Sequence, residues 1–248
     1  MADILLDARE VTVRFGGLTA VDAVSATFRA GELVGIIGPN GAGKTTFFNA
    51  ISGVVAPTSG ALLADGHDLA GQGPHRYAAH GIARTFQTPR VFADMTVTAN
   101  VAFGLAFAGR HRRAPALLDS SQSILALIGL DNMADMRAAD ITPSQQRLLE
   151  IGMALATRPR LLLLDEVAAG LTETEVENMA RLIRRLRDDL QLTVIWIEHA
   201  VTTLLRHVER VIVLHQGRKI ADGTPAAVVR NADVIEAYLG DEMAETPV

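Results

Sequence analysis

The chain has 248 residues, 49% apolar and 21% charged, enough to bury a substantial core without covalent staples. It contains no cysteine, which excludes disulfides, thiolate metal sites and thiol nucleophiles and favours an intracellular compartment. The net charge of −5 argues against broad neutralisation of nucleic-acid phosphates, so no nucleic-acid partner is expected.

Residues 11–15 and 21–28 read as strands joined by a Gly16-Gly17 turn, a small β region at the N-terminus. Residues 33–37 form a short buried strand that runs into a glycine-rich segment, after which Phe47, Phe48 and Ile51 continue at helical spacing to Gly53. From Pro74 to about Leu130 the pattern turns mostly helical, with helices over 97–108 and 120–128 joined by the polar stretch 110–115. A helix from about 144 to 156 and the strand 161–165 come next. A long helix then carries Val176, Met179, Ile183, Leu186 and Leu190 on one stripe, before the strand 193–197. The tail holds strands 210–214 and 218–221 and a helix over 233–239. Strands alternating with helices predict an α/β protein with a mainly parallel core. The apolar runs fall far short of the roughly 18 residues that span a bilayer, and the start Met-Ala-Asp has no signal-peptide pattern. A soluble intracellular protein is expected, with any membrane role passing through a partner.

The segment Gly38, Pro39, Asn40, Gly41, Ala42, Gly43, Lys44, Thr45 has a mechanical reason at each fixed position. Glycines let backbone N–H groups close around phosphate oxygens, the lysine reaches the β and γ phosphates, and the threonine hydroxyl ligates Mg²⁺. A helix opening at this point adds its N-terminal dipole. Lys44 is one of two lysines among 23 basic residues, as expected where a compact ammonium is required and a guanidinium fork would not fit.

Phosphoryl transfer also needs a carboxylate for the metal and a group that orients water. Leu161-Leu162-Leu163-Leu164-Asp165-Glu166 supplies two acids at the carboxyl end of a strand buried on both faces, where ligands bind in open parallel sheets. Asp165 would hold Mg²⁺ through water and Glu166 would act as general base; in isolation such acids also serve as helix caps. Ile195-Trp196-Ile197-Glu198-His199 places His199 at the same sheet edge, where a γ-phosphate sensor is a better reading than a bare surface histidine.

With these motifs the chain resembles the ATP-binding subunits of ABC transporters over nearly its whole length. The resemblance implies a P-loop NTPase fold of the ABC type: a mainly parallel core with an N-terminal antiparallel β region over 1–86 and 158–240, a helical subdomain over about 87–157, and a tail over 241–248. It places Gln87, in Arg84-Thr85-Phe86-Gln87, at the family's Q-loop glutamine, a metal ligand with Thr45 and Asp165 and a catalytic partner of Glu166 and His199. Phe15, which alone reads as core, stands where an aromatic stacks on adenine, and Thr46 continues the nucleotide loop. Residues 81–87, Ala168-Ala169-Gly170-Leu171 and the ending 235–240 look more narrowly like branched-chain amino-acid importer ATPases. Those act with ATP and Mg²⁺ as dimers, with a second ATPase, two permeases and, indirectly, a solute-binding protein, at the cytoplasmic face of the inner membrane. Other solutes such as urea, lipid export, or a soluble ABC ATPase are the alternatives.

The family's signature, usually Leu-Ser-Gly-Gly-Gln, is here Ile141-Thr142-Pro143-Ser144-Gln145. As helix chemistry it is a good start, with Thr142 as N-cap, proline at the first position and Gln145 completing a capping box. In the family Thr142, Ser144 and Gln145 would contact ATP held by the opposite subunit, so the site completed in trans is expected to be slow or regulatory. Val167 and Thr172 replace the usual proline and Asp or Asn. The segment from Gln87 to Phe107 is the expected permease contact, and Arg110-His111-Arg112-Arg113 reads as a solvated charge run.

Overall fold

The structure, a computed structural model, describes residues 3–108, 116–198 and 201–244. The basic run 110–113 and His199 lie outside the described residues.

Strands β1 (Ile4–Phe15) and β2 (Leu18–Arg29) form an antiparallel hairpin through Gly16 and Gly17. Both are longer than the sequence pattern predicts, because register shifts absorb the breaks in alternation, one of them next to Glu10 at φ 47. Then follow β3 (Leu33–Ile37), α1 (Lys44–Ile51), β4 (Ser59–Ala64), β5 (His67–Asp68), α2 (Pro74–Ala79) and β6 (Ile82–Arg84). The middle of the chain carries α3 (Val97–Ala106), α4 (Ser121–Ile128) and α5 (Pro143–Ala156). After it come β7 (Leu161–Asp165), α6 (Glu173–Leu190), β8 (Thr193–Ile197), α7 (Val201–His207), β9 (Arg210–His215), β10 (Arg218–Gly223), α8 (Pro225–Val228) and α9 (Ala232–Ala244). The elements absent from the sequence reading, β4, β5, α2, β6, α7 and α8, are six residues long or shorter apart from the seven-residue α7. Their periodicity is too brief to register, and pairing or packing against longer neighbours creates them.

Two sheets result. The first is antiparallel, in the order β2-β1-β4-β5. The second runs β10-β9-β3-β8-β7-β6, with every pair parallel except β10 on β9. Its central strands are buried on both faces, and their alternation sorts two cores. Val34, Ile36, Leu161, Leu163, Ile195 and Ile197 pack with Phe47 and Phe48 of α1 and with Val11, Val13 and Phe28 of the hairpin. Leu162, Leu164, Val194 and Trp196 face the other way, toward Met179, Ile183 and Leu186 of α6. That second core continues into Val101, Ile124, Leu125 and Leu155, so the helices α3 to α5 share it.

Gly104 of α3 lies tightly against α5. A Cβ there would lie 2.6 Å from the Met153 carbonyl oxygen and 2.8 Å from the Ala156 Cβ, both on α5. Gly104→Val is therefore expected to push α3 off α5 and lower unfolding stability by about 2 kcal/mol. Urea unfolding followed through Trp196, the one tryptophan of the chain, checks this; a midpoint equal to that of the parent protein would contradict it.

Candidate active site

The glycine-rich loop begins where β3 ends. Gly38 (φ 154) and Gly43 (φ 94) take backbone conformations closed to side chains, and a Cβ on either would fall 2.1 Å from the Leu214 carbonyl or 2.3 Å from the Ala20 carbonyl. The loop is thus wedged against β2 and β9 and can approach a ligand with backbone alone. Lys44 opens α1, where the Phe47 N–H donates to the Gly43 carbonyl at 2.8 Å. The Lys44 side chain is buried along the loop and donates to the carbonyls of Gly38 (2.6 Å) and Pro39 (2.9 Å). Burial pushes its pKa below the ordinary lysine value, opposed by the nearby Glu166 carboxylate.

Asn40, Gly41, Ala42, Gly43, Lys44, Thr45 and Thr46 line one cleft of about 670 Å³, together with Gln87, Glu166 and Phe15. Phe15 is 52% exposed at the rim, so it is not a core residue. An exposed aromatic beside a ring of backbone amides, a buried ammonium and a threonine at a helix start fits a nucleotide, with a flat base outside and phosphates inside.

Parallel pairing brings the acids to this edge. Asp165 lies opposite Ile197 in the register of β7 on β8, and the Glu166 N–H donates to the Ile197 carbonyl at 3.0 Å. Both acids are nearly buried, and Glu166 adopts φ 51, where the chain leaves the strand. Gln87 donates its amide Nε2 to Glu166 Oε2 at 2.7 Å, so the two residues meet although 79 positions apart.

Several residues at this centre were not anticipated. Arg84, at the end of β6, donates to Asp165 Oδ2 at 3.1 Å and is held by Asn49 Oδ1 and Ser52 Oγ, both at 2.8 Å. On α5, Arg147 donates to the main-chain oxygens of Glu166 and Gln87. Three positions further on, the buried Glu150 accepts the amides of Phe86 (3.3 Å) and Arg90 (3.0 Å). Burial raises the Glu150 carboxyl to about 7 against the pull of those two amides and of the Arg147 and Arg90 charges. Glu198, also buried, accepts the Ala168 N–H (2.7 Å) and the Trp196 indole N–H (2.9 Å), and burial raises its pKa as well. The available signal was a charged pair, Arg147 and Glu150, three positions apart on one side of a helix whose Leu149, Ile151 and Leu155 are buried.

The altered signature lies elsewhere. Thr142, Ser144 and Gln145 line a separate depression with Thr88, Pro89 and Gly170, so they do not join the Lys44 cleft within this chain. Thr142 caps α5 by accepting the Gln145 N–H, and Gln145 returns the bond to the Thr142 N–H, the full capping box. Thr172 caps α6 in the same way through Glu175.

Residues 21–169 match the family profile of the ABC transporter, and residues 218–244 that of the branched-chain amino acid ATP-binding cassette transporter. The chain belongs to the ABC transporter ATP-binding family. This cassette is 37% identical to the high-affinity branched-chain amino acid transport ATP-binding protein BraF of Pseudomonas aeruginosa and 39% identical to LivG, so described, of Salmonella typhimurium. In each case 97% of this chain and the whole of the relative are covered. The crystal structure of the ADP conformation of an ATP-binding cassette of an ABC transporter superposes with a TM-score of 0.84 at 28% identity, over 96% of this chain and 99% of that one. The cassette is thus a transport ATPase by family, with an α/β fold of the ABC type.

Glu150 makes stability depend on pH. Its folded pKa of about 7 lies above the ordinary 4.5, so its contribution is fully present below about 4.5 and lost as pH rises through 7. Glu150→Gln removes that titration. The melting temperature of the variant minus that of the parent should rise from pH 5 to pH 8, by the equivalent of on the order of 3 kcal/mol at most. Parallel melting curves across that range would contradict the assignment.

Proposed function

We propose that this cassette binds ATP with Mg²⁺ in the Lys44 cleft and hydrolyses it as one half of an ATPase pair, driving import of branched-chain amino acids. The observation that carries this is the Gln87–Glu166 contact at 2.7 Å, in the same cleft as Lys44 and the glycine loop.

In this reading Phe15 stacks on adenine, the amides from Asn40 to Thr46 surround the phosphates, and Lys44 turns from the Gly38 and Pro39 carbonyls to the β and γ oxygens. Thr45, Asp165 and Gln87 offer the hard oxygen donors that suit Mg²⁺. When bound, Mg²⁺ would supply positive charge against that developing on the phosphate oxygens. Glu166 takes the proton of the attacking water, Gln87 holds that carboxylate in place, and His199 senses the γ-phosphate.

Thr142, Ser144 and Gln145 face the second ATPase subunit. Pro143 has no N–H to offer there, and Thr142 already holds the Gln145 amide. The anion-binding capacity of this helix start is thereby reduced, which favours a homologous partner that supplies an intact signature to this chain's own ATP. The permeases dock beside Gln87. There Phe92, Phe103 and Phe107 form an exposed aromatic patch, with ring centroids 4.7 and 5.1 Å apart along the series. No helix of the described residues is long and apolar enough to cross a membrane, so the cassette would act on the cytoplasmic face through these partners, with a solute-binding protein delivering the cargo.

In the complex co-purified with its permeases, Lys44→Ala should abolish ATP binding at this chain's own site and leave that of the partner ATPase. Glu166→Gln in this chain alone should keep binding and cut hydrolysis by about a hundredfold or more. Unchanged hydrolysis with Glu166→Gln would leave a regulatory, non-hydrolysing subunit as the correct description, and transport assays with leucine, isoleucine and valine test the cargo.

A further inference from the structure

The charged face of α5 performs a task that the nucleotide cleft alone does not explain. Glu150 Oε1 accepts the Arg90 amide at 3.0 Å and, with Oε2, the Phe86 amide at 3.3 Å. These two N–H groups bracket Gln87, Thr88 and Pro89, so a single carboxylate closes both ends of the segment that presents Gln87. One turn earlier on the same face, Arg147 donates to the Gln87 carbonyl at 3.3 Å and to the Glu166 carbonyl. The helix therefore grips Gln87 and Glu166 by their main chains while their side chains bond to each other.

Burying a carboxylate is costly, and this one is 5% exposed. Its Oε1 accepts amides from two points of one loop, which an apolar side chain filling the same space could not do. About two turns before Glu150, at the start of α5, stand Thr142 and Ser144, in a depression that Arg147 and the Thr88 and Pro89 of the same segment also line. The fourteen-residue helix thus links that depression to the Gln87–Glu166 contact.

We propose that Glu150 is a positioning residue for hydrolysis: its carboxylate fastens the Gln87 segment to α5, so that displacement of α5 at its Thr142 end is delivered to the Gln87–Glu166 pair. This rests on the reading of Gln87 and Glu166 as hydrolytic partners and of Thr142 as facing a second subunit. An α5 drawn toward a partner carries Phe86 to Arg90 with it and resets the Gln87 amide against Glu166.

The test is a double-variant cycle in the co-purified transporter complex, with mant-ATP for affinity, phosphate release for turnover and Trp196 emission for folding. Glu150→Gln keeps the shape and one acceptor oxygen but removes the charge and sets an N–H donor where Oε2 accepts the Phe86 amide; it should lower kcat by about tenfold while changing ATP affinity by less than about threefold. Gln87→Ala should lower kcat by itself, and adding Glu150→Gln to it should cost little more. Losses that multiply, an unchanged kcat in Glu150→Gln, or affinity falling in step with kcat would each overturn the clamp. A Gln87→Ala protein with full turnover would instead overturn the underlying role of Gln87, and the clamp with it. Should Glu150→Gln fail to fold by Trp196 emission, Glu150→Asp, one methylene too short to reach both amides, is read through the same cycle.

Discussion

Strands β6, β7, β8 and β3 lie side by side and parallel, so their carboxyl ends arrive together at one edge of a sheet that is apolar on both faces. That alignment delivers Arg84, Asp165 with Glu166, Glu198 and the glycine loop to neighbouring positions from four distant stretches of chain. A slip of two residues in β7 would move its carboxylates by roughly 6 to 7 Å along the strand and out of reach of the loop. Such a slip is resisted because Leu161 to Leu164 and Thr193 to Ile197 are wholly buried, and each step of register would expose leucine on one end and bury charge on the other.

The edge is crowded with charge that has little access to water. Asp165 meets Arg84, Lys44 lies near Glu166, and Glu150 and Glu198 take backbone or indole N–H groups. Buried charges of this kind are tolerated where each has a partner, and they are sensitive to removal of one member. The arrangement fits a site that receives a polyanion and a divalent cation: ammonium and amides on one side, carboxylates on the other, with the Arg84 guanidinium on Asp165.

The signature region separates local from collective chemistry. Thr142, Pro143 and Gln145 make a sound helix start, and the capping box forms as helix chemistry requires. The same residues give up much of what a helix N-terminus offers an anion, because the proline lacks a donor and Thr142 occupies the Gln145 amide. Thr172 does likewise for α6. Both helices are well anchored, and the departures from the family pattern bear on what a second subunit would meet, not on the folding of this one.

Read residue by residue, the chain itself determined its long helices, the leucine strand, the glycine loop and the two acids at the end of β7, since each is a local pattern with a local physical cause. Its fold class followed from their alternation, and family membership agrees with it. Tertiary structure decided the rest. It made β4, β5, α2 and β6 from segments too short to announce themselves, turned Phe15 outward to the rim of the cleft, and set the altered signature in a different depression from Lys44. It also put Arg84 on Asp165, Gln87 on Glu166, and Glu150 on both ends of the Gln87 segment. No sequence spacing encodes those contacts. They join residues 60 to 81 positions apart, and they exist because parallel strands and a helix buried along one side bring the residues within hydrogen-bond reach.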